Sequence, residues 1–167
     1  DREYLARLGQ LPEIERMRLR FGIWDAFEGQ AFSELNRAIH GVSDFEIPIE
    51  WEKFRAFDWG YAKPFSVGWY AVDFDGKLWR FAEWYGAKKD EGRNSWDCGL
   101  KMTATEIARG IKERERDLRM GKVHPGPADP AIWSRRPQKD GTLGISVSDE
   151  MAQEGVLWIK ADNDRIL

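Results

Sequence analysis

The chain has 167 residues, with 26 lysines and arginines against 29 acidic residues, which gives a formal net charge of −3. Its single cysteine, Cys98, excludes a disulfide framework and a cysteine-based zinc site, and no apolar run reaches the roughly 20 residues of a membrane-spanning helix. The mild negative charge gives no general attraction for nucleic acid. The motifs of P-loops, dinucleotide-binding folds, zinc proteases and serine hydrolases are absent. Enzyme chemistry would therefore rest mainly on carboxylates, which suit Mg²⁺ or Mn²⁺.

The first 50 residues are predicted to form a helical segment and an arm. Apolar residues spaced by three along residues 3–20 predict one face of a helix, and Pro12 is expected to split it in two. Residues 21–50 mix glycines, aromatic and polar residues without sustained periodicity, which favours a linker that wraps the next unit.

From residue 52 the pattern predicts strands. Residues 54–60, 65–76 and 77–86 alternate in the manner of strands, and the Asp75-Gly76 pair is a hairpin signal between the second and the third. Three antiparallel strands in a row form a meander. Glu83 is predicted to share a face of the third strand with Trp79 and Phe81.

Two helices and two further strands are predicted to follow. Thr103 and Glu106 form a capping box at the start of a helix whose apolar face is predicted to hold Ile107, Ile111 and Leu118. A short strand within residues 122–133, a helix over 146–155 and a buried strand over 156–161 complete the pattern.

The order β-β-β-α-β-α-β predicts an α/β fold with a mixed sheet and helices on its faces. Right-handed crossovers give the strand order 3-2-1-4-5, so the first and fourth strands are neighbours. Asp58 ends the first and Asp129 follows the fourth, so both carboxylates are expected at one sheet edge, where open α/β sheets place their sites. Two such acids repel each other unless a proton or a metal lies between them, and two divalent cations could cleave a phosphodiester there. Turn or cap chemistry is the alternative explanation for each acid.

Several segments of the sequence resemble one protein family. FRAFDWGYAKPFSVGWYAVDFDGKLWRFAEWY, then ADPAIW and IKADNDRI, resemble the nuclease domain of phage terminase large subunits, the DNA-packaging proteins of tailed phages and prophages. LGQLPEIERMRLRFGIWDAFEGQAF resembles the stretch that joins the ATPase domain of those proteins to the nuclease domain. The resemblance thus implies that residues 1–50 are a helical segment and linker arm and that residues 51–167 are the nuclease domain without its C-terminal part.

The resemblance implies an RNase H-like fold and a Mg²⁺- or Mn²⁺-dependent endonuclease that cuts concatemeric viral DNA by a two-metal mechanism. Asp58 matches the metal ligand on the family's first strand and Asp129 matches the acid at its fourth. The third acid of the family lies downstream, in a region that this chain is expected to lack. Double-stranded viral DNA, the terminase small subunit and the portal protein are the implied partners, and the host bacterial cytoplasm is the implied location, with no membrane.

Basic residues near the predicted site are candidates for DNA contacts. Lys63 follows Asp58, and a loop shortly after Asp129 contains Arg135, Arg136 and Lys139. A solvated loop explains the last three equally well. Glu83 and Glu106 are better explained by solvent exposure and by capping than by catalysis.

Two other functions stay open. The nine tryptophans, nine phenylalanines and four tyrosines could form a non-catalytic platform for sugars or single-stranded bases. Such a platform would expose its aromatic rings together on one sheet face, whereas core rings would be buried. Another RNase H-like nuclease, such as a resolvase, is the second alternative, and the terminase-like arm argues against it.

Overall fold

A computed structural model of the chain describes residues 37–88, 98–135 and 143–162. The chain divides into two compact units, Asp1–Phe45 and Glu46–Leu167, and the described part of the first holds one short helix, α1 (Arg37–His40). The helices predicted within residues 3–20 and most of the predicted arm lie outside the described residues, so the assignment of residues 1–50 and 51–167 stays a prediction. No helix in the described ranges is long and apolar enough to cross a membrane.

The second unit is built on one mixed five-stranded sheet. Its order is β3-β2-β1-β4-β5, with antiparallel β1–β2 and β2–β3 pairs and parallel β1–β4 and β4–β5 pairs. The predicted α/β class, the RNase H-like sheet and the order 3-2-1-4-5 are therefore confirmed. The elements in chain order are β1 (Glu52–Asp58), β2 (Ser66–Val72), β3 (Leu78–Tyr85), α2 (Ala104–Asp117), β4 (Pro127–Ala128), a 3-10 turn (Pro130–Trp133), α3 (Val147–Gln153) and β5 (Ile159–Lys160).

The meander forms where alternation and turn chemistry predicted it. Along β2 the side chains of Val67, Trp69 and Ala71 are buried on one face. The turn into β3 is closed by the Asp73 carboxylate, whose Oδ1 accepts the backbone N–H groups of Asp75 and Lys77 at 3.0 and 2.8 Å. Gly76 takes a positive φ of 79°, as the predicted Asp75-Gly76 turn requires.

A bulge in β3 changes the face on which Glu83 lies. Trp69 pairs with Ala82 but the next residue, Tyr70, pairs with Arg80, so the register skips Phe81. Glu83 consequently pairs with Gly68, on the sheet face opposite to the one that holds Trp69. The prediction that Glu83 shares a face with Trp79 and Phe81 was wrong.

Helix α2 begins at the predicted capping box. The Thr103 hydroxyl accepts the Glu106 backbone N–H at 3.2 Å, and the Glu106 carboxylate accepts the Thr103 N–H at 2.7 Å. Ile107 and Ile111 are fully buried. Leu118, predicted on the same face, is 59% exposed because the helix ends at Asp117 and Leu118 is its C-cap.

The last two strands are much shorter than the sequence pattern predicts. Within residues 122–133 only Pro127–Ala128 forms a strand, and within 156–161 only Ile159–Lys160 does. Val156 is buried, but Ile159 is 58% exposed because β5 is the edge of the described sheet. The predicted position of the last strand is therefore confirmed, whereas the prediction that it is buried was wrong.

The core lies on one face of the sheet. Phe57, Val67 and Trp69 from the strands form one buried cluster with Ile107 and Ile111 of α2 and with further residues of the α3 region. The sheet face opposite to this cluster, which includes Ala56 and Gly68, lines an open cleft. The candidate site lies at the end of that face.

Candidate active site

Strand pairing brings Asp58 and Asp129 to the same sheet edge. Phe57 of β1 pairs in parallel with Ala128 of β4, so the two acids are the next residues on neighbouring strands. The Asp129 backbone N–H donates to the Phe57 carbonyl at 3.2 Å, which continues the ladder up to the acids. The sheet thus places both carboxylates side by side at the carboxyl ends of two parallel strands.

The Asp129 carboxylate is held by the turn that follows it. Its Oδ1 accepts the Ala131 backbone N–H at 2.7 Å, which makes Asp129 the N-cap of the 3-10 turn Pro130–Trp133. The capping explanation weighed from the sequence is therefore correct for this atom. The second oxygen, Oδ2, has no hydrogen bond to any residue in the described ranges.

The pKa of Asp58 is raised by its surroundings. Although its side chain is exposed at the sheet edge, partial burial raises the pKa of its carboxyl above the ordinary value, and the neighbouring negative charge of Asp129 raises the pKa further. Both causes disfavour the ionised carboxylate. A cation bound between the two acids would oppose both effects, because it replaces lost water and cancels the repulsion.

The two acids lie at the end of a cleft of about 300 Å³. Small residues make its floor, with Ala56 on β1, Gly68 on β2 and Ala161 after β5, and Ser66 and Tyr70 complete the β2 side. The cleft follows the open face of the sheet away from Asp58. An extended ligand could therefore lie on this face with one end at the carboxylates.

The donor set fits one hydrated hard cation. Mg²⁺ commonly binds through one or two carboxylates and keeps several waters, so Asp58 and Asp129 meet that requirement. No three acid, histidine or cysteine side chains come together at one point in the described ranges. A second ion would therefore need ligands other than the acid, histidine and cysteine side chains of the described residues.

The remaining candidates lie apart from the carboxylate pair or outside the described residues. Lys63 is exposed in the loop after Asp58. Arg135 is exposed, and its Nη2 lies 2.8 Å from Asp149 Oδ2 at the start of α3, so it already has an acidic partner. Arg136 and Lys139 lie outside the described residues. A DNA contact by any of the four stays a prediction.

Two further acids have local explanations. The Glu106 carboxylate is engaged in the capping box, whose hydrogen bonds from Thr103 lower the pKa of Glu106. Glu83 makes an exposed ion pair with Arg80 at 3.2 Å. Both observations agree with the structural explanations that the sequence favoured.

Several aromatic residues in the described ranges belong to the core. Trp69 and Phe65 are fully buried, Phe57 is 4% exposed, and Phe57 stacks on Trp158 with ring centroids 5.1 Å apart. This burial disfavours the aromatic-platform alternative. The cleft is lined by Phe57, which is almost fully buried, and by Tyr70, which the sequence pattern did not single out. The alternation of β2 could have identified it, because Ser66, Gly68 and Tyr70 share the face of Asp58.

Comparison with solved structures identifies the fold. The large terminase of a thermophilic bacteriophage, in complex with ADP, matches with a TM-score of 0.58 and 20% identity, over 97% of this chain and 35% of that one. The chain shares this fold. A second structure of the thermophilic phage terminase matches with a TM-score of 0.56 and 19% identity, over 95% of this chain and 34% of that one. This chain thus spans about a third of that terminase.

The other comparisons add no support to that result. The nuclease domain of the P22 large terminase covers 75% of this chain and 54% of its own, at 15% identity and a TM-score of 0.47, which is too low to support an inference. No family model and no curated protein matches the sequence. At these identities the likeness to the thermophilic phage terminase shows the fold and leaves the activity to be argued from the site.

Proposed function

We propose that this chain is the nuclease domain of a phage or prophage terminase large subunit, a divalent-metal-dependent endonuclease that cuts concatemeric viral DNA during packaging. The observation that carries the proposal is the pairing of Asp58 with Asp129 at the carboxyl ends of β1 and β4, where the charge of Asp129 disfavours that of Asp58. The fold shared with the thermophilic phage terminase supports it.

The roles of the two acids follow from their placement. Asp58 and Asp129 together supply two negative charges at the end of an open cleft, a suitable site for one Mg²⁺ or Mn²⁺. A bound divalent cation would supply positive charge that stabilises the negative charge developing on the phosphate oxygens while water attacks the phosphodiester and the leaving oxygen departs. The capping bond to Ala131 fixes the direction of Asp129, so the pair is preorganised. The two-ion form of the mechanism requires a further ligand.

The partners of the proposed function belong to the whole protein. Double-stranded viral DNA is the substrate of the proposed domain. The terminase small subunit and the portal protein are partners that the family resemblance implies, and the host bacterial cytoplasm is where packaging would take place. Translocation of DNA is assigned to other parts of a terminase and is not proposed for this chain.

A plasmid nicking assay tests the proposal. The parent chain, Asp58→Asn and Asp75→Asn are incubated with supercoiled DNA and Mn²⁺, and with EDTA as a metal-free control. Asp75 lies in the β2–β3 hairpin, at the opposite end of the strands from Asp58, so it controls for the loss of one negative charge. We expect the parent and Asp75→Asn to cut only with Mn²⁺. Asp58→Asn should cut more slowly than the parent by more than about 100-fold, because loss of a residue that merely orients a metal ligand already costs about 10–100-fold in activity. Equal cleavage by Asp58→Asn, or no cleavage by the folded parent, would contradict the proposal.

A further inference from the structure

The face of β2 that lines the cleft carries a row of three residues. Strand alternation places Ser66, Gly68 and Tyr70 opposite to the buried Val67 and Trp69. In the β1–β2 register these three lie beside Asp58, Ala56 and Phe54, respectively. Tyr70 therefore lies on the same face as Asp58, four residues along the strand from the residue that pairs with it.

The Tyr70 side chain lies back over Gly68. A Cβ atom built on Gly68 would come within 2.8 Å of both the hydroxyl oxygen and Cε2 of Tyr70. The hydroxyl is therefore above Gly68, and the side chain extends along the strand toward Ser66 and Asp58. Glycine is the residue that leaves room for this arrangement.

The Tyr70 ring packs against Phe54, and the Tyr70 hydroxyl has no hydrogen-bond partner among the described residues. Phe54 stacks on the ring with centroids 5.5 Å apart and an interplanar angle of 17°. Tyr70 is half-buried, yet its hydroxyl makes no hydrogen bond to any residue in the described ranges. A half-buried tyrosine hydroxyl usually has a partner. The contacts with Phe54 and Gly68 leave the hydroxyl as the polar group that Tyr70 presents to the cleft.

The distance of the Tyr70 hydroxyl from the two carboxylates indicates which kind of ligand it can bind. Strands rise about 3.3 Å per residue, so a group above Gly68 lies about 6.6 Å along the sheet from the level of Ser66 and Asp58. That is too far for the hydroxyl to join the carboxylates at one cation. At that distance, the hydroxyl can contact one part of an extended ligand while the reacting group of the same ligand lies at Asp58 and Asp129. A neutral donor is well matched to a phosphate oxygen there, because it adds no charge that would compete with the cation.

We propose that the Tyr70 hydroxyl donates a hydrogen bond to the DNA backbone at a phosphate next to the one that is cut, and thereby sets the register of the strand on the sheet. The inference rests on the proposed nuclease function and adds a substrate-binding residue to it. Tyr70 has no part in the chemical step. Its loss is therefore expected to weaken DNA binding and, because the strand is then held less firmly in register, to slow cleavage at saturating DNA far less than the loss of Asp58 does.

Two variants and a matched control test this. Tyr70→Phe removes the hydroxyl and keeps the ring against Phe54. Gly68→Ala keeps the hydroxyl but occupies the space in which it lies. Tyr85→Phe is the control, since Tyr85 lies at the end of β3, pairs with Ser66, and does not line the cleft. Affinity for a short fluorescein-labelled DNA duplex is measured by anisotropy with Ca²⁺ in place of Mn²⁺, and cleavage is then measured with Mn²⁺ at saturating plasmid.

We expect Tyr70→Phe and Gly68→Ala each to weaken binding by about two- to tenfold, the effect of one hydrogen bond, and Tyr85→Phe to bind like the parent. The dependence of affinity on salt should be unchanged in Tyr70→Phe, because no counterion is released by a neutral contact. Circular dichroism melting of each variant confirms that it is folded.

The outcomes separate this inference from the proposed function. If Asp58→Asn loses cleavage but Tyr70→Phe binds like the parent, the Tyr70 inference is overturned and the nuclease proposal stands. If Tyr70→Phe loses affinity while Asp58→Asn cuts like the parent, the nuclease proposal fails and DNA binding in the cleft stands. If the folded parent binds no duplex, both fail.

Discussion

At the scale of single residues, Asp58 is in an environment that disfavours its own charge. Partial burial and the Asp129 carboxylate both raise the pKa of Asp58. A structural acid at a strand end would gain more from hydrogen bonds or a basic partner, as Asp149 does from Ser146 and Arg135, which lower its pKa. Under the proposed function, a cation bound beside Asp58 would compensate this charge.

This environment predicts a pH-dependent effect of Asp58→Asn on stability. Because the folded-state pKa is raised, ionisation of Asp58 lowers the free energy of unfolding as pH rises through and above the ordinary aspartate value of about 3.9. In metal-free buffer the variant should therefore melt higher than the parent at pH 7, and the two should melt alike near pH 3. The gain is expected to stay below about 1 kcal/mol, since solvent screens the exposed carboxylate, which corresponds to less than about 4 °C in Tm.

The Asp75→Asn variant corrects that measurement for a general loss of negative charge. Thermal melts followed by circular dichroism at both pH values, with EDTA present, suffice. A parent that is more stable than Asp58→Asn at pH 7 would show that Asp58 has a stabilising partner in the fold, and would remove the electrostatic argument for a cation.

The placement of the two acids on neighbouring strands could be predicted from the sequence, whereas the position of the Tyr70 hydroxyl could not. Asp58 and Asp129 are strand-end residues, and the handedness of crossovers makes their strands neighbours without any knowledge of side-chain packing. The position of the Tyr70 hydroxyl depends on a rotamer and on the room above Gly68. Alternation places Tyr70 on the correct face, but only the packed structure shows that its side chain extends toward Asp58.

At the scale of elements, a buried charge pair joins the sheet to helix α2. Arg55 of β1 is 4% exposed, and its Nη1 donates to Glu115 Oε1 at 3.0 Å. The same oxygen accepts the indole N–H of Trp69 on β2 at 3.0 Å. The Arg55 guanidinium also lies 5.0 Å from the centre of the Trp158 ring. One carboxylate thus fixes α2 to the two central strands.

Removal of that carboxylate should destabilise the fold strongly. Glu115→Ala would leave the Arg55 charge buried without its partner, a defect that typically costs about 3–5 kcal/mol. Because Glu115 is itself partly exposed, the lower end of that range is expected. Glu113→Ala is the matched control on the same helix, since Glu113 is exposed and lies 3.9 Å from Arg116, and it should change stability by less than about 0.5 kcal/mol.

Urea unfolding of the parent and both variants measures these free energies. Equal midpoints for Glu115→Ala and Glu113→Ala would mean that the buried pair adds nothing to the attachment of α2.

Elements were predictable where their signals are local. The capping box of Thr103 and Glu106 and the Asp75-Gly76 turn lie within a few residues of the structures they specify. The bulge at Phe81 and the exposure of Ile159 depend on which strand lies alongside, and alternation in one strand carries no information about that. The predicted face of Glu83 and the predicted burial of the last strand were therefore wrong.

At the scale of the whole molecule, the net charge of −3 has to be reconciled with a polyanionic substrate. Arg135, one of the predicted DNA contacts, already pairs with Asp149, so its charge is partly cancelled. Under the proposed function the attraction for phosphate comes mainly from the cation at the carboxylates and from neutral donors such as Tyr70. DNA binding by this chain is therefore expected to depend on a divalent ion more than on basic side chains.

The proposed function requires that Asp58 and Asp129 hold a divalent cation between them, and Mn²⁺ binding measures this directly. Titration of the parent, Asp58→Asn, Asp129→Asn and Asp75→Asn with Mn²⁺ can be followed by the paramagnetic resonance signal of the free ion. We predict that the parent and Asp75→Asn bind Mn²⁺ equally well and that each of the other two binds more than about tenfold more weakly. Binding by Asp58→Asn or Asp129→Asn as tight as that of the parent would contradict the proposed function.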